Sequence, residues 1–130
     1  ANAEYAVGRK TVVLSGDGGF RLNVGELACA AQERADMLIL LMNDSRYGVI
    51  RNIQDALYGS RRCYVDLVNP DFATWCASLN VPFWRISEAE QIDSVMQTAW
   101  HTTGPAVLEI DMAAWGPFAV KFAGPPKKAA

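Results

Sequence analysis

Residues 15–20, SGDGGF, decide the fold, and they directly follow the apolar run TVVL at residues 11–14. Glycines between a strand-like run and a helix-like run allow backbone amide groups to approach an anion such as phosphate. Asp17 lies in the middle of these glycines, where its carboxylate would repel that anion. The stretch therefore predicts a strand, a turn and a helix, and it raises the question of what offsets the charge of Asp17.

A helix is predicted directly after this turn, because apolar residues recur there at the spacing of one helix face: Phe20, Val24, Leu27, Ala28 and Ala31. The next apolar run, MLILLM at residues 37–42, is apolar at every position, as expected for a strand covered on both faces of a parallel sheet. We expect a shorter helix at about residues 48–58 and a loop over residues 59–70.

The second half of the chain repeats this alternation of helix and strand. A helix is predicted to start at residues 69–70, and residues 82–86, PFWRI, predict a strand. Residues 87–90, SEAE, match a capping box before another helix, and residues 106–110 predict a final strand. This order predicts an α/β three-layer sandwich, in which helices flank both faces of a mostly parallel sheet.

Length, composition and charge limit the function. The 130 residues are enough for one domain, so we treat residues 1–130 as a single domain that ends in an aromatic tail at residues 113–130. A net charge of −2 argues against a nucleic-acid surface. No apolar stretch reaches the ~18 residues of a membrane-spanning helix. Cys29, Cys63 and Cys76 are odd in number and lack metal-ligand spacing, so we expect buried free thiols in a cytoplasmic protein.

Two polar side chains follow neighbouring strands at the same edge of the predicted sheet, where ligands of parallel sheets bind. Asp17 follows the first strand and Asn43 follows the second. Gly18 and Gly19 open the intervening helix, whose unpaired amides and positive dipole end favour a phosphate group. A diphosphate next to Asp17 requires a divalent cation between them. Asp17 and Asn43 are therefore predicted oxygen ligands of Mg²⁺, for which Ca²⁺ could substitute.

This combination resembles a known family. Gly16-Asp17-Gly18, followed by 24 residues and Asn43, is similar to the thiamine diphosphate binding motif. The segments VVLSGDGGFRLNVGELACAA and LLMNDSRYGVI resemble the C-terminal, diphosphate-binding domain of acetolactate synthase and related 2-oxoacid decarboxylases and carboligases. The resemblance extends over residues 7–111 and is specific for the cofactor rather than for the substrate.

The resemblance implies a set of contacts. Mg²⁺ would be bound by the side chains of Asp17 and Asn43 and by the backbone carbonyl of Ser45. Asp44 stands where many relatives carry a second Asn and is expected just outside the coordination set. The expected cofactor-binding residues are Gly16, Asp17, Gly18, Gly19, Phe20, Asn43, Ser45, Tyr47 and Gly48. No residue of this chain is expected to be catalytic.

The resemblance also implies a larger enzyme that acts on a small 2-oxo acid. The glutamate that activates the cofactor belongs to a separate pyrimidine-binding domain, which 130 residues do not accommodate. We therefore expect a piece of a homo-oligomeric enzyme, truncated at its N-terminal end, with a natural small subunit as the alternative. On its own the chain is expected to be inactive and to bind thiamine diphosphate weakly.

Other polar residues have simpler interpretations. Glu26 is expected in a surface or interface salt bridge, His101 on the surface at a helix end, and Arg61-Arg62 in a solvated loop. The alternative function is a non-enzymatic, receiver-like or ligand-sensing α/β module that uses Asp17 as an acidic metal site. A receiver would need a Lys late in the sheet, where this sequence has none.

Overall fold

A parallel four-stranded sheet forms the centre of the protein, and the computed structural model describes residues 8–115. In chain order the strands are β1 (Thr11–Gly16), β2 (Met37–Asn43), β3 (Phe83–Ile86) and β4 (Pro105–Asp111). They lie in the order β1-β2-β4-β3, and each neighbouring pair is parallel. The carboxyl ends of β1 and β2 are therefore adjacent at one edge of the sheet, as predicted.

Helices connect the strands. Within residues 8–115 they are α1 (Asp17–Leu22), α2 (Glu26–Gln32), α3 (Gly48–Leu57), α4 (Phe72–Ser78) and α5 (Ile92–His101). A 3₁₀ turn, Ala89–Gln91, leads into α5. The predicted alternation of strands and helices is confirmed.

The two faces of the sheet are covered by different helices. Side chains alternate along β2, so Ile39 and Leu38 face opposite ways. The face of Ile39 packs against α1, α2 and α4, and Phe20 meets Phe72 edge to face with ring centroids 5.5 Å apart. The face of Leu38 packs against α5, where Ala99 is fully buried. This arrangement is the predicted α/β three-layer sandwich.

The long helix predicted from residue 20 onward is interrupted. Residues Asn23, Val24 and Gly25 separate α1 from α2, and both Asn and Gly are weak helix formers. The backbone amide of Asn23 closes α1 by donating to the carbonyl of Phe20 at 3.1 Å. Phe20, Val24 and Leu27 are nevertheless buried, so the apolar spacing correctly identified the face that packs on the sheet.

Two predicted helix starts lie at shifted positions. The start predicted at residues 69–70 is replaced by Asp71, whose side chain caps α4 by accepting from a backbone amide at 3.1 Å. The capping box predicted within residues 87–90 is formed instead by Glu88 and Gln91. In both cases the true cap is one or two residues further along the chain, because several adjacent residues can serve as caps.

Residues 59–70 form a loop, as predicted. This loop is tied to the end of β2, since the amide of Tyr47 donates to the carbonyl of Val65 at 2.8 Å. The predicted tail is described only as far as residue 115, and its Phe118 and Phe122 lie outside the described residues. No helix within residues 8–115 is long and apolar enough to cross a membrane.

The three cysteines are free, but they are not all buried. Cys76 is buried in the core beside α1 and β4, whereas Cys29 and Cys63 are exposed. The expectation of free thiols is confirmed, and the expectation that all of them are buried is wrong. Burial, with the nearby charge of Glu109, raises the pKa of the Cys76 thiol to about 11.

We predict that the native chain presents two fast-reacting thiols and one protected thiol. At pH 8 the Cys76 thiol stays protonated and enclosed, whereas thiol reagents attack the exposed thiolate form. Titration with Ellman's reagent should therefore count two thiols in buffer and a third only after denaturation. A Cys29→Ser/Cys63→Ser variant should show no fast phase. A third thiol that reacts as fast as the others would contradict this packing of Cys76.

Candidate functional site

The carboxyl ends of β1 and β2 border a cavity of about 380 Å³. Its wall contains residues 16–19, Asp44, residues 46–50 and the two methionines Met42 and Met112. Six of the predicted cofactor-binding residues therefore lie together on this wall: Gly16, Asp17, Gly18, Gly19, Tyr47 and Gly48. The other three are not among the lining residues: Phe20, Asn43 and Ser45.

Asp17 provides a buried carboxylate at this cavity. It is the first residue of α1 and retains only 1% of its surface exposed. Its Oδ2 atom accepts a hydrogen bond from Nδ2 of Asn69 at 2.6 Å. Asn69 is neutral, so this bond satisfies the oxygen without supplying a positive charge. A buried carboxylate of this kind is costly unless a cation pairs with it.

A second carboxylate, that of Asp44, faces the same cavity. Burial raises the pKa of this carboxyl group above its ordinary value, and the negative charge of Asp17 raises it further. Arg46 opposes these effects, with Nε 3.5 Å from Oδ2 of Asp44. The cavity thus combines two acidic groups with one guanidinium. Asp44 lies on the cavity wall, and the expectation that it stands just outside the coordination set stays a prediction.

Asn43 lies next to the cavity, and both polar atoms of its side chain form hydrogen bonds. Its Nδ2 donates to Oε1 of Glu109 at 2.7 Å. Its Oδ1 accepts from Nδ2 of Asn69 at 3.0 Å and from the backbone amide of Ser45 at 3.1 Å. The same Asn69 amide group therefore joins Asn43 to Asp17. The two predicted ligands do lie together at one edge of the sheet, and a direct role of Asn43 at a cation stays a prediction.

Glu109 and Arg85 extend the set of hydrogen-bonded polar side chains beyond Asn43, and neither was predicted from the sequence. Glu109 lies on β4 with no exposed surface, and Arg85 stands opposite it on β3. Nη2 of Arg85 donates to both carboxylate oxygens, at 2.9 and 3.1 Å. The available signal was the single acidic residue inside the apolar strand sequence PAVLEI. Asn69 was missed because its position before Pro70 was interpreted only as a helix start.

Local geometry limits two of the predicted contacts. Phe20 is 8% exposed and its ring packs in the core, so only its backbone could reach a diphosphate. The carbonyl of Ser45 accepts a hydrogen bond from the amide of Leu67 at 2.8 Å, which uses one of its two lone pairs. Coordination of a cation by Ser45 stays a prediction.

The remaining polar candidates lie on the surface. Glu26 is exposed in the first turn of α2. His101 is exposed at the end of α5, where its Nδ1 lies 2.8 Å from the carbonyl of Gln97. Arg62 pairs with Asp55 at 2.7 Å in the loop after α3. The surface positions of His101 and Arg62 agree with the simpler interpretations given above, and a salt bridge of Glu26 stays a prediction.

A parallel sheet with a glycine-lined, acidic cavity at its carboxyl edge defines a ligand-binding domain of the α/β class. The chain belongs to the family described as “Thiamine pyrophosphate enzyme, C-terminal TPP binding domain”, which it matches over residues 1–110. The recognised resemblance to acetolactate synthase-like enzymes is thereby confirmed, and thiamine diphosphate is the cofactor of the family.

Acetolactate synthases are among the relatives of the chain. The chain is 29% identical over 112 residues to the acetolactate synthase isozyme 2 large subunit of Escherichia coli (strain K12), covering 85% of this chain and 20% of the relative. It is 26% identical over 99 residues to the mitochondrial acetolactate synthase catalytic subunit of Saccharomyces cerevisiae, covering 76% and 14%. It is 29% identical over 119 residues to the chloroplastic acetolactate synthase 1 of Oryza sativa subsp. japonica, covering 85% and 18%. The chain thus spans a fifth or less of these relatives.

Gly18 is required for the close approach of α1 to the aromatic ring of Tyr47. A Cβ atom at Gly18 would lie 2.5 Å from Cε1 of Tyr47, whereas one at Gly19 would meet only Oγ of Ser15 at 3.7 Å. We predict that Gly18→Ala lowers the free energy of unfolding by about 1–3 kcal/mol, as overpacking does. Gly19→Ala in the same helix should be neutral or stabilising by up to about 1 kcal/mol. Urea denaturation measures both, and equal effects would contradict the contact.

Proposed function

We propose that this chain binds the diphosphate of thiamine diphosphate through Mg²⁺, within an acetolactate synthase-like enzyme that acts on 2-oxo acids. The observation that carries the proposal is a pair of carboxylates, Asp17 and Asp44, on one cavity whose wall also contains residues 16–19. Membership in the family supports the cofactor, and the paired carboxylates support the cation.

The donor atoms fit Mg²⁺, which prefers hard oxygen ligands and is usually held by one or two carboxylates together with phosphate and water. Asp17 and Asp44 supply the carboxylates, and Asn43 and Ser45 remain predicted additional ligands. No cluster of three or more His, Cys, Asp or Glu side chains suited to a metal occurs within residues 8–115. Phosphate oxygens and water would therefore supply the rest of the coordination shell.

The residues of this chain anchor and orient the cofactor. The acidic pair would hold the cation that neutralises the diphosphate, and the backbone of Gly18 and Gly19 would approach the phosphate oxygens, since the first turn of a helix has amides without intrahelical acceptors. Bound thiamine diphosphate supplies the electron sink for cleaving or forming bonds next to a 2-oxo group. No side chain of this chain is assigned a role in that step.

We further propose that the chain functions with a pyrimidine-binding domain of the same enzyme in a homo-oligomer, and that the 130 residues alone are inactive. Val12 and Leu14 on the outer face of β1 are 49% and 71% exposed, although they are apolar strand residues. Apolar patches of this kind mark surfaces that pack against another domain. This exposure supports a partner that covers β1 and closes the cavity.

The receiver-like alternative has less support. A phosphoacceptor aspartate must be reachable by the phosphate donor, and Asp17 retains only 1% of its surface exposed. The family match accounts for the glycines next to Asp17, which a receiver would not require.

Calorimetry with thiamine diphosphate and Mg²⁺ tests the proposal on the wild-type chain and on alanine variants. We expect Asp17→Ala and Asp44→Ala each to weaken binding by at least about tenfold, since each removes a charged ligand of the cation. Asn43→Ala should also weaken it, because Asn43 is a predicted ligand and its Oδ1 accepts from the same Asn69 amide group as Oδ2 of Asp17. Asp55→Ala is the matched control, since Asp55 pairs with Arg62 away from the cavity.

The outcomes separate the possible ligand sets. Loss of binding in Asn43→Ala with normal binding in Asp44→Ala would identify Asn43, rather than Asp44, as the second side-chain ligand. Binding that is equal in the wild type, Asp17→Ala and Asp44→Ala would overturn the proposed cation site. Wild-type chain that binds with Mg²⁺ but not with EDTA present supports the role of the cation.

A further inference from the structure

We propose that the buried Glu109 is a positioning residue, which orients the carboxylate of Asp17 at the cavity through the side chains of Asn43 and Asn69. The inference deepens the proposed function, because Asp17 is the proposed ligand of the cation. It adds Glu109 and Asn69, which lie outside the sequence motif, to Asp17 and Asn43, and it rests on hydrogen-bond geometry.

The carboxyl ends of all four strands contribute to one continuous polar network. Arg85 of β3 donates to Glu109 of β4, and Asn43 of β2 donates to the same Glu109 oxygen, Oε1. Asn69 then donates both to Oδ1 of Asn43 at 3.0 Å and to Oδ2 of Asp17, which follows β1, at 2.6 Å. The order of these residues follows the order of the strands across the sheet.

The direction of each hydrogen bond follows from Glu109. An ionised carboxylate only accepts, so Asn43 must turn its Nδ2 toward Glu109 and its Oδ1 away. That Oδ1 needs a donor, and Asn69 supplies its Nδ2. If Asn69 turned over, its own oxygen would face the oxygens of Asn43 and Asp17. One charged group therefore fixes the orientation of two neutral amides.

The unpaired Oδ1 atom of Asn69 supports the inference that neighbouring groups fix the orientation of this side chain. Oδ1 of Asn69 is buried and has no hydrogen-bond partner within the described residues. A buried unpaired oxygen is unfavourable, so the orientation of Asn69 is imposed by its neighbours rather than by its own bonding needs. The result is that Asn69 holds one carboxylate oxygen of Asp17, Oδ2, at 2.6 Å, and Asp17 itself lines the cavity.

A structural role for Glu109 in its ion pair with Arg85 is the competing explanation, and two variants separate the two roles. Glu109→Gln removes the charge and replaces one acceptor oxygen by an NH₂ donor, so the side chain at 109 no longer forces Asn43 to donate. Arg85→Met removes the ion pair but keeps the carboxylate that accepts from Asn43. Glu90→Gln, in the exposed turn before α5, is the matched control for the loss of a carboxylate.

Two measurements at pH 8 read the network. The first follows the side-chain amide resonances of Asn43 and Asn69 and the carboxyl ¹³C shift of Asp17 by NMR, without any metal. The second measures Mn²⁺ affinity by electron paramagnetic resonance, with Mn²⁺ as the probe. We expect slowly exchanging amide protons on both asparagines in the wild type and in Arg85→Met, with Mn²⁺ affinities within about twofold of each other.

In Glu109→Gln we expect the protection to be lost, the Asp17 ¹³C shift to move, and Mn²⁺ affinity to fall by about tenfold, the effect of one hydrogen bond to a charged group. Unchanged spectra in Glu109→Gln, or equal losses in Arg85→Met, would overturn the positioning role. If Glu109→Gln does not fold, the NMR measurement on the wild type still tests the network. A rapidly exchanging side-chain amide of Asn69 in the wild type would refute the network. Protected amides without Mn²⁺ binding would instead refute the proposed function alone.

Discussion

The main physical constraint on the site is electrostatic. The carboxylates of Asp17 and Asp44 face one partly buried cavity, and this arrangement is unfavourable on its own. Parallel topology produces this arrangement, because it places the carboxyl ends of all strands at one edge and gathers there the residues that follow them. Arg46 offsets part of the charge, and a hydrogen bond from Asn69 satisfies one oxygen of Asp17. The proposed divalent cation would offset the remaining negative charge and would also bind the anionic group of a ligand.

The strands could be predicted closely from the sequence, and the helices less well. The apolar run at residues 37–42 became β2, Met37–Asn43, because a strand buried on both faces needs apolar side chains at each position. The break between α1 and α2 was missed because apolar spacing continues through it. Periodicity reports which side chains are buried, and it does not report whether the backbone between them stays helical. Helix starts were shifted for a related reason, since several neighbouring polar residues can cap.

The residues of the cavity that belong to short sequence patterns could be predicted, and the residues that reach it from distant parts of the chain could not. Asp17, its flanking glycines and Tyr47 belong to short local patterns, and they line the cavity. Asn69 and Glu109 were missed for physical reasons. Asn69 and Glu109 reach the site only through contacts between distant parts of the chain. Which of Asn43 and Asp44 lines the cavity depends on the direction that each side chain takes at the end of β2. A motif that specifies only residue spacing does not contain that direction.

The two faces of the sheet are covered by helices to different extents. This difference is consistent with the proposal that a second domain completes the site. The positioning network lies where α1 and α4 cover the sheet, so its polar atoms are surrounded by packed side chains.

Leu14 is paired in register with Leu40 on the opposite face, where β1 lacks a covering helix within the described residues. The cavity opens beside that exposed face, since Met42 lies in register with Gly16 and both line it. Val49, which lines the cavity, is 64% exposed, and the proposed partner domain would cover it. An anchor built by one chain and an apolar enclosure completed by another would bring the cofactor into a dry environment only after assembly, which would confine its chemistry to the complete enzyme.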